Sequence, residues 1–183
     1  MLNGKLLKVG VGGGVILFLW GMLMWVVLPF NADHMLKFRD EGHVAKVIKD
    51  NASQSGIYVI PNMMQAKNEK EKHMGKEAMQ RGPIVFASVC LEGCQEKVSG
   101  KVLADLILRI IAASIVAALL FQTKLTYKKR VGFVTAVGVL IAIVTGFSHM
   151  LWYAFPVAFS LLCMIEMIIG WFLAGLFMAR YAK

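Results

Sequence analysis

Val9-Gly-Val-Gly-Gly-Gly-Val-Ile-Leu-Phe-Leu-Trp-Gly-Met-Leu-Met-Trp-Val-Val-Leu-Pro-Phe-Asn-Ala32 contains no charged side chain. About 20 apolar residues suffice to cross the hydrocarbon layer as a helix, so this block predicts a membrane span. Lys5 and Lys8 precede it and would also suit a signal peptide. The apolar core of a signal peptide runs only about 7–15 residues, however, and ends at a small-residue cleavage site. Here the block ends in Leu28-Pro29-Phe30, a poor substrate for cleavage. The segment reads as an uncleaved signal anchor.

Three more apolar blocks follow, at Val102–Phe121, Val131–Phe147 and Pro156–Ala179. Between the last two lies Ser148-His-Met-Leu-Trp-Tyr-Ala-Phe155. Trp and Tyr favour the membrane–water interface, so this stretch predicts an interfacial turn. Pro156 suits the first turn of the last helix, where its missing N–H costs little. The chain is 58% hydrophobic, beyond the roughly 45–50% of soluble domains, and the excess lies in these blocks.

The net charge of +9 is distributed in a telling way. Lys5 and Lys8, then Lys124, Lys128, Lys129 and Arg130, then Arg180 and Lys183 flank the apolar blocks with no acid among them. Residues 31–101 mix both signs. The excess therefore marks membrane flanks and not a nucleic-acid surface. Basic flanks favour the cytoplasm, which places both termini and loop 122–130 inside. The 33–101 loop is longer than the roughly 60 residues over which that rule counts well, so its own lysines do not decide the matter.

Residues 33–101 read as α+β. Val44, Val47 and Ile48 recur at helical spacing between Asp40 and Asn51. Gly56-Ile-Tyr-Val-Ile-Pro61 has strand composition bounded by breakers. Lys67–Gln80 is a charged helical stretch stopped by Gly82-Pro83, and Ile84–Cys90 reads as a second strand. The expected fold is thus a membrane all-α class: a four-transmembrane-helix bundle, N-in and C-in, with a small α+β extracytoplasmic domain between helices 1 and 2. The divisions fall at residues 1–32, 33–101 and 102–183.

Two constellations could carry chemistry. Asp105 and Arg109 lie one helical turn apart on the second span, and Glu166 lies within the last, flanked by Cys163, Gly170 and Ala174. At 1.5 Å per residue, Arg109 and Glu166 fall at roughly 10 and 15 Å below the outer edge. Unpaired charges are costly there, so an Arg109–Glu166 pair across a helix interface is expected. An internal ion pair fixing helix register outweighs a proton or ion relay as its role. The second constellation is Cys90-Leu-Glu-Gly-Cys94, on the oxidising side in this topology and a disulfide candidate. Its C-x₃-C spacing is not the C-x-x-C of thiol redox motifs. Cys163, within the membrane, reads as packing.

The remaining features are weaker. His34, His43, His73 and His149, with Met35, Met63, Met64, Met74, Met79 and Met150, would all fall outside, and soft ligands suit copper. No pair has ligand-like spacing, so no metal site and no cofactor are expected. Gly10-Val-Gly-Gly-Gly14 contains a G-x-x-x-G that suits either a helix-packing face or a flexible start to the first span. No nucleophile elbow, P-loop, zincin motif or dinucleotide fingerprint is present.

Trp25-Val-Val-Leu-Pro-Phe30, Gly56–Pro61, Gly82-Pro83, Trp152-Tyr-Ala-Phe-Pro156 and Gly170-Trp-Phe-Leu-Ala-Gly175 together resemble a loose group of small, uncharacterised bacterial four-helix inner-membrane proteins. The resemblance implies an inner-membrane location and a periplasmic domain, and no activity. The four spans and outer-face cysteines are also superficially similar to the DsbB-type quinone-linked thiol oxidases. Those carry a C-x-x-C in one outer loop and a second pair in the other, and this chain has neither. The functional expectation is a non-enzymatic accessory or binding subunit, with a protein partner or a homo-oligomer beside the bilayer. The alternatives are a small proton-coupled transporter using Asp105, Arg109 and Glu166, and an envelope thiol or metal enzyme.

Overall fold

The computed structural model describes residues 2–28, 34–93 and 98–182. Four helices are long and apolar enough to cross a membrane. Helix α1 (Leu2–Met22) starts about two turns before the uncharged block, because no proline between Leu2 and Val9 stops it. It runs on as a π-helical segment, Leu23–Val27, in which the Leu28 N–H reaches five residues back to the Leu23 carbonyl at 3.0 Å. The expected end of this span at Ala32 lies outside the described residues.

Helices α4 (Val98–Phe121), α5 (Tyr127–Tyr153) and α6 (Val157–Tyr181) complete the set. Helix α5 continues past Phe147, where a turn was expected. Ser148 Oγ–H bonds back to the Val144 carbonyl at 2.6 Å, so a residue that can leave a helix stays in it. The stop comes from Ala154, whose φ of 54° is left-handed, followed by Pro156.

The chain divides into two compact units. The first holds α1, α4, α6 and α5 up to Ser148. Within it α1 lies between α4 and α6. A Cβ at Gly10 would come within 2.8 Å of Ser114 Cα, and one at Gly14 within 2.6 Å of the Ile110 backbone nitrogen. The G-x-x-x-G is therefore a packing face on which two helix backbones approach closely. On its other flank, a Cβ at Gly13 would come within 2.8 Å of Met178 Sδ of α6. Val9, Leu17, Ala113, Ala117, Leu120, Ala174 and Met178 fill this seam and are buried. Helix α5 packs on α6 by a different device. Trp171 seats over Gly138, and the Tyr127 hydroxyl bonds to the Leu176 carbonyl at 3.3 Å.

The second unit comprises Leu36–Gln95 with His149–Phe155. Helix α2 (Glu41–Asn51) begins where the Asp40 carboxylate accepts from the His43 N–H at 2.8 Å. Strand β1 (Gly56–Ile60) pairs antiparallel with β2 (Val85–Val89), in the register Gly56↔Val89 to Ile60↔Val85. Helix α3 (Glu69–Arg81) is mostly charged, with Met74, Ala78 and Met79 along one side. It is capped by Asn68, which accepts from the Glu71 N–H, while Glu71 accepts from the Lys67 N–H. A left-handed Gly82, φ 69°, ends it.

Both faces of the two-stranded sheet are apolar. Tyr58, Ile60, Val85, Ala87 and Val89 form one, and Ile57, Val59 and Phe86, with Ser88 as the polar exception, the other. Phe86 stacks on Tyr153 at a centroid distance of 4.4 Å. Among the described residues 34–93, none is buried.

The glycine seam yields a test. Gly14→Ala is expected to lower stability by about 1–3 kcal/mol, because a helix backbone and not a flexible side chain opposes the new methyl group. Gly132, with nothing within 4 Å of its added Cβ, is the control. Gly132→Ala is expected to be neutral or slightly stabilising, from helix propensity. Thermal unfolding in mild detergent measures both.

Candidate functional site

The candidate site is a set of polar side chains arranged around α1 in the first unit. Asp105 and Arg109 are four residues apart on α4, and helical spacing brings Arg109 Nε to 2.9 Å from Asp105 Oδ2. The same guanidinium donates through Nη1 to the Leu17 carbonyl of α1 at 3.0 Å. It does so over Gly21, where a Cβ would come within 2.9 Å of Nη2. Arg109 therefore serves as an ion-pair partner within α4 and as a clamp onto the α1 backbone.

Glu166 approaches α1 from α6. Its side chain is 8% exposed, the most buried charged group among the described residues. Oε2 accepts from Trp25 Nε1 of the π-helical segment at 3.4 Å, and the Glu166 backbone carbonyl accepts from Trp20 Nε1 at 2.9 Å. Trp25 also meets Phe159 edge-on, with centroids 6.3 Å apart. The π-helical segment rotates Trp25 relative to a regular helix, and both indoles reach the same residue of α6.

The expected Arg109–Glu166 ion pair is not formed. Helix α1 stands between α4 and α6, so the two side chains approach it from different flanks. Arg109 takes its acid from its own helix, and Glu166 takes an indole. The charges of Arg109 and Asp105 still act on Glu166 through space. Sequence reasoning missed Trp20 and Trp25, which in an apolar block read simply as apolar residues.

The cysteine candidate is only half visible. Residues 90–93 form a turn with Gly93 at a left-handed φ of 72°. Within it the Gly93 N–H bonds to the Cys90 carbonyl at 3.3 Å, and the Cys90 thiol donates to the Gly93 carbonyl at 3.1 Å. Cys94 lies outside the described residues, and Cys90 carries a free thiol in this structure, so the expected disulfide is not seen. Cys163 sits half-buried on α6.

The histidines expected on the outer face have ordinary surroundings. His73 Nδ1 lies 3.3 Å from Glu77, and His149 packs on Phe155 at 5.1 Å. Among the described residues no three His, Cys, Asp or Glu side chains converge as metal ligands would.

The second unit contains a groove that the sequence did not signal. Val47, Ile48, Asn51 and Ala52, from α2 and its C-terminal cap, face Tyr58, Ile60, Val85, Ala87 and Val89 of the sheet across a space of about 390 Å³. Its walls are almost wholly apolar. Such a groove binds side chains or acyl groups by burial and presents no nucleophile–base pair.

Comparison with protein-family models, with curated proteins and with solved structures finds no match for this chain. The functional reading accordingly rests on the geometry.

A double-mutant cycle tests the clamp. Arg109→Leu leaves the Asp105 carboxylate without its partner, and Arg109→Leu with Asp105→Leu removes both charges. The double variant is expected to be no less stable than Arg109→Leu alone, with a coupling of about 0.5–3 kcal/mol. Combining Arg109→Leu with Glu166→Leu is expected to be closer to additive, because no bond joins those side chains. Unfolding in detergent, followed by tryptophan fluorescence, gives the four corners of each cycle.

Proposed function

We propose that this chain is a non-enzymatic accessory or binding subunit of a bacterial inner membrane, with both termini in the cytoplasm and residues 33–101 in the periplasm. The acid-free basic flanks support the orientation. The observation that carries the function is the exposed sheet. A solvated antiparallel sheet has one apolar and one polar face, whereas here both faces are predominantly apolar, with Ser88 the polar exception on one. It also offers two open edges and an apolar groove, in a unit with no buried residue among 34–93. About 60 ordered residues without a core do not offset the entropy of ordering them, so another protein chain completes the fold.

Photo-crosslinking in native membranes tests this reading. A benzophenone side chain in place of Ile57 or Val47 is expected to capture a discrete protein partner, while one at Lys70 on the polar helix α3 is not. Val59→Asp is expected to weaken capture from Ile57 at least tenfold and to leave the bundle folded. Equal capture from all positions, or none from Ile57 and Val47, refutes the reading.

The polar set of Asp105, Arg109 and Glu166 is proposed as a helix-fixing device, with its bonds to α1 as support. A second reading, a small proton-coupled transporter, draws on one observation: among the described residues the buried Glu166 carboxyl accepts a single hydrogen bond, 3.4 Å long, from Trp25. Glu166→Gln separates the two, since it keeps the shape and an acceptor oxygen but cannot exchange a proton. For Cys90 and Cys94 we propose a structural clip and no catalytic couple. Thiol labelling of the unreduced protein is expected to leave both unlabelled. Replacing both with Ser is expected to cost no more than about 2–4 kcal/mol, because a loop this short constrains the unfolded chain little.

A further inference from the structure

One end of the helical bundle gathers cations with no acid to balance them. Helices α1 and α5 begin there, and α4 and α6 finish there. The seams at Gly10–Ser114 and Gly13–Met178, and the Tyr127–Leu176 hydrogen bond, bring those ends together. The cations are Lys8, Lys124, Lys128, Lys129, Arg130 and Arg180. Residues 2–28 carry no Asp or Glu, and between residues 106 and 182 the sole acid is Glu166. Glu166 lies roughly 20 Å along α6 from Arg180 at 1.5 Å per residue, so it does not neutralise this end.

Two details show that the charge lacks an internal partner. Lys128, Lys129 and Arg130 occupy the first turn of α5, where the helix dipole disfavours cations. The Nε–H of Arg130 is covered from solvent and has no hydrogen-bond acceptor among the described residues. Arg130 as a whole is partly exposed, and planar bidentate recognition by the rest of its guanidinium suits a phosphate. The cluster also flanks helices long and apolar enough to cross a membrane, which sets it at headgroup level.

We propose that this end of the bundle binds the phosphate of anionic phospholipids, with Lys128, Lys129 and Arg130 as the principal contacts. Zwitterionic headgroups carry their own cation and bind more weakly. Free phosphate shares the chemistry but lacks the acyl chains that hold a lipid against the apolar helices.

The test uses the full chain in mild detergent, titrated separately with phosphatidylglycerol, phosphatidylcholine and inorganic phosphate, and read by native mass spectrometry. Phosphatidylglycerol is expected to bind at least tenfold better than phosphatidylcholine, and its binding is expected to fall as salt rises. Lys128→Gln, Lys129→Gln and Arg130→Gln are expected to weaken it by roughly fivefold for each charge removed. Removing Lys67, Lys70 and Lys76 of the second unit instead is expected to change it less than twofold. Equal binding of the two lipids overturns the proposal, as does an equal effect of the two triple replacements. Inorganic phosphate that displaces the lipid at equal concentration also overturns it, in favour of a site for the free anion. If the Gln variants fail to fold, the lipid preference and salt dependence of the unmodified chain decide alone.

Discussion

The rest of the bundle depends on how closely α1 can approach its neighbours. In lipid, apolar side chains gain little by leaving the solvent, so helices associate through close packing and polar bonds. Gly10 and Gly14 remove the side chains that would hold α1 away from Ser114 and Ile110. The contact continues toward the other end of the helix, where Gly21 leaves room for the Arg109 guanidinium to reach the Leu17 carbonyl. Glycines and polar bonds thus work in sequence along one seam. Helix α6 uses the other flank of α1, so any change that widens the first seam also displaces the indoles that bond to Glu166.

The intramembrane charges follow from this arrangement. A charge inside a bilayer is tolerated when its donors and acceptors find partners, and here they do so chiefly through α1. Arg109 divides its donors between an acid one turn away and a main-chain carbonyl, and Trp20 bonds to the main chain of α6. Bonds to backbone atoms fix position along a helix axis as well as rotation. These three bonds tie α4, α1 and α6 together, and none of them is a side-chain ion pair between helices. Glu166 is the least satisfied member, which is why it separates a purely structural reading from one that includes chemistry.

What was legible in the sequence was what local pattern determines. Four long apolar blocks give four helices, and capping residues such as Asp40 and Asn68 mark where the short helices begin. The C-terminal limit of α5 was misjudged because Trp152 and Tyr153 suit an interface whether or not they are helical. The stop is set by a left-handed Ala154, which no propensity reveals. Asp105 and Arg109 were legible as neighbours because helix geometry alone joins them. The partner of Glu166 was not, since depth arithmetic assigns a level in the membrane but not which helix stands between two others. The apolar groove was illegible for a similar reason. The strands read as apolar, but only the pairing register shows that both faces of the sheet are so.

The absence of a core in the second unit becomes intelligible from its attachment. Helices α1 and α4 pack side by side, and their sequence contacts run in opposite order: Gly10 meets Ser114, and Gly14 meets Ile110. The helices are therefore antiparallel, and the chain leaves α1 and re-enters α4 at the same end of the bundle. Closing a loop of roughly 70 residues costs about 4 kcal/mol in chain entropy, and the folded bundle has already met that cost. The intervening segment can then form secondary structure with far fewer internal contacts than a free domain of its size. Attachment does not dry an apolar sheet, however. The partner proposed above would supply the missing burial by covering Ile57, Val59 and the groove beneath α2.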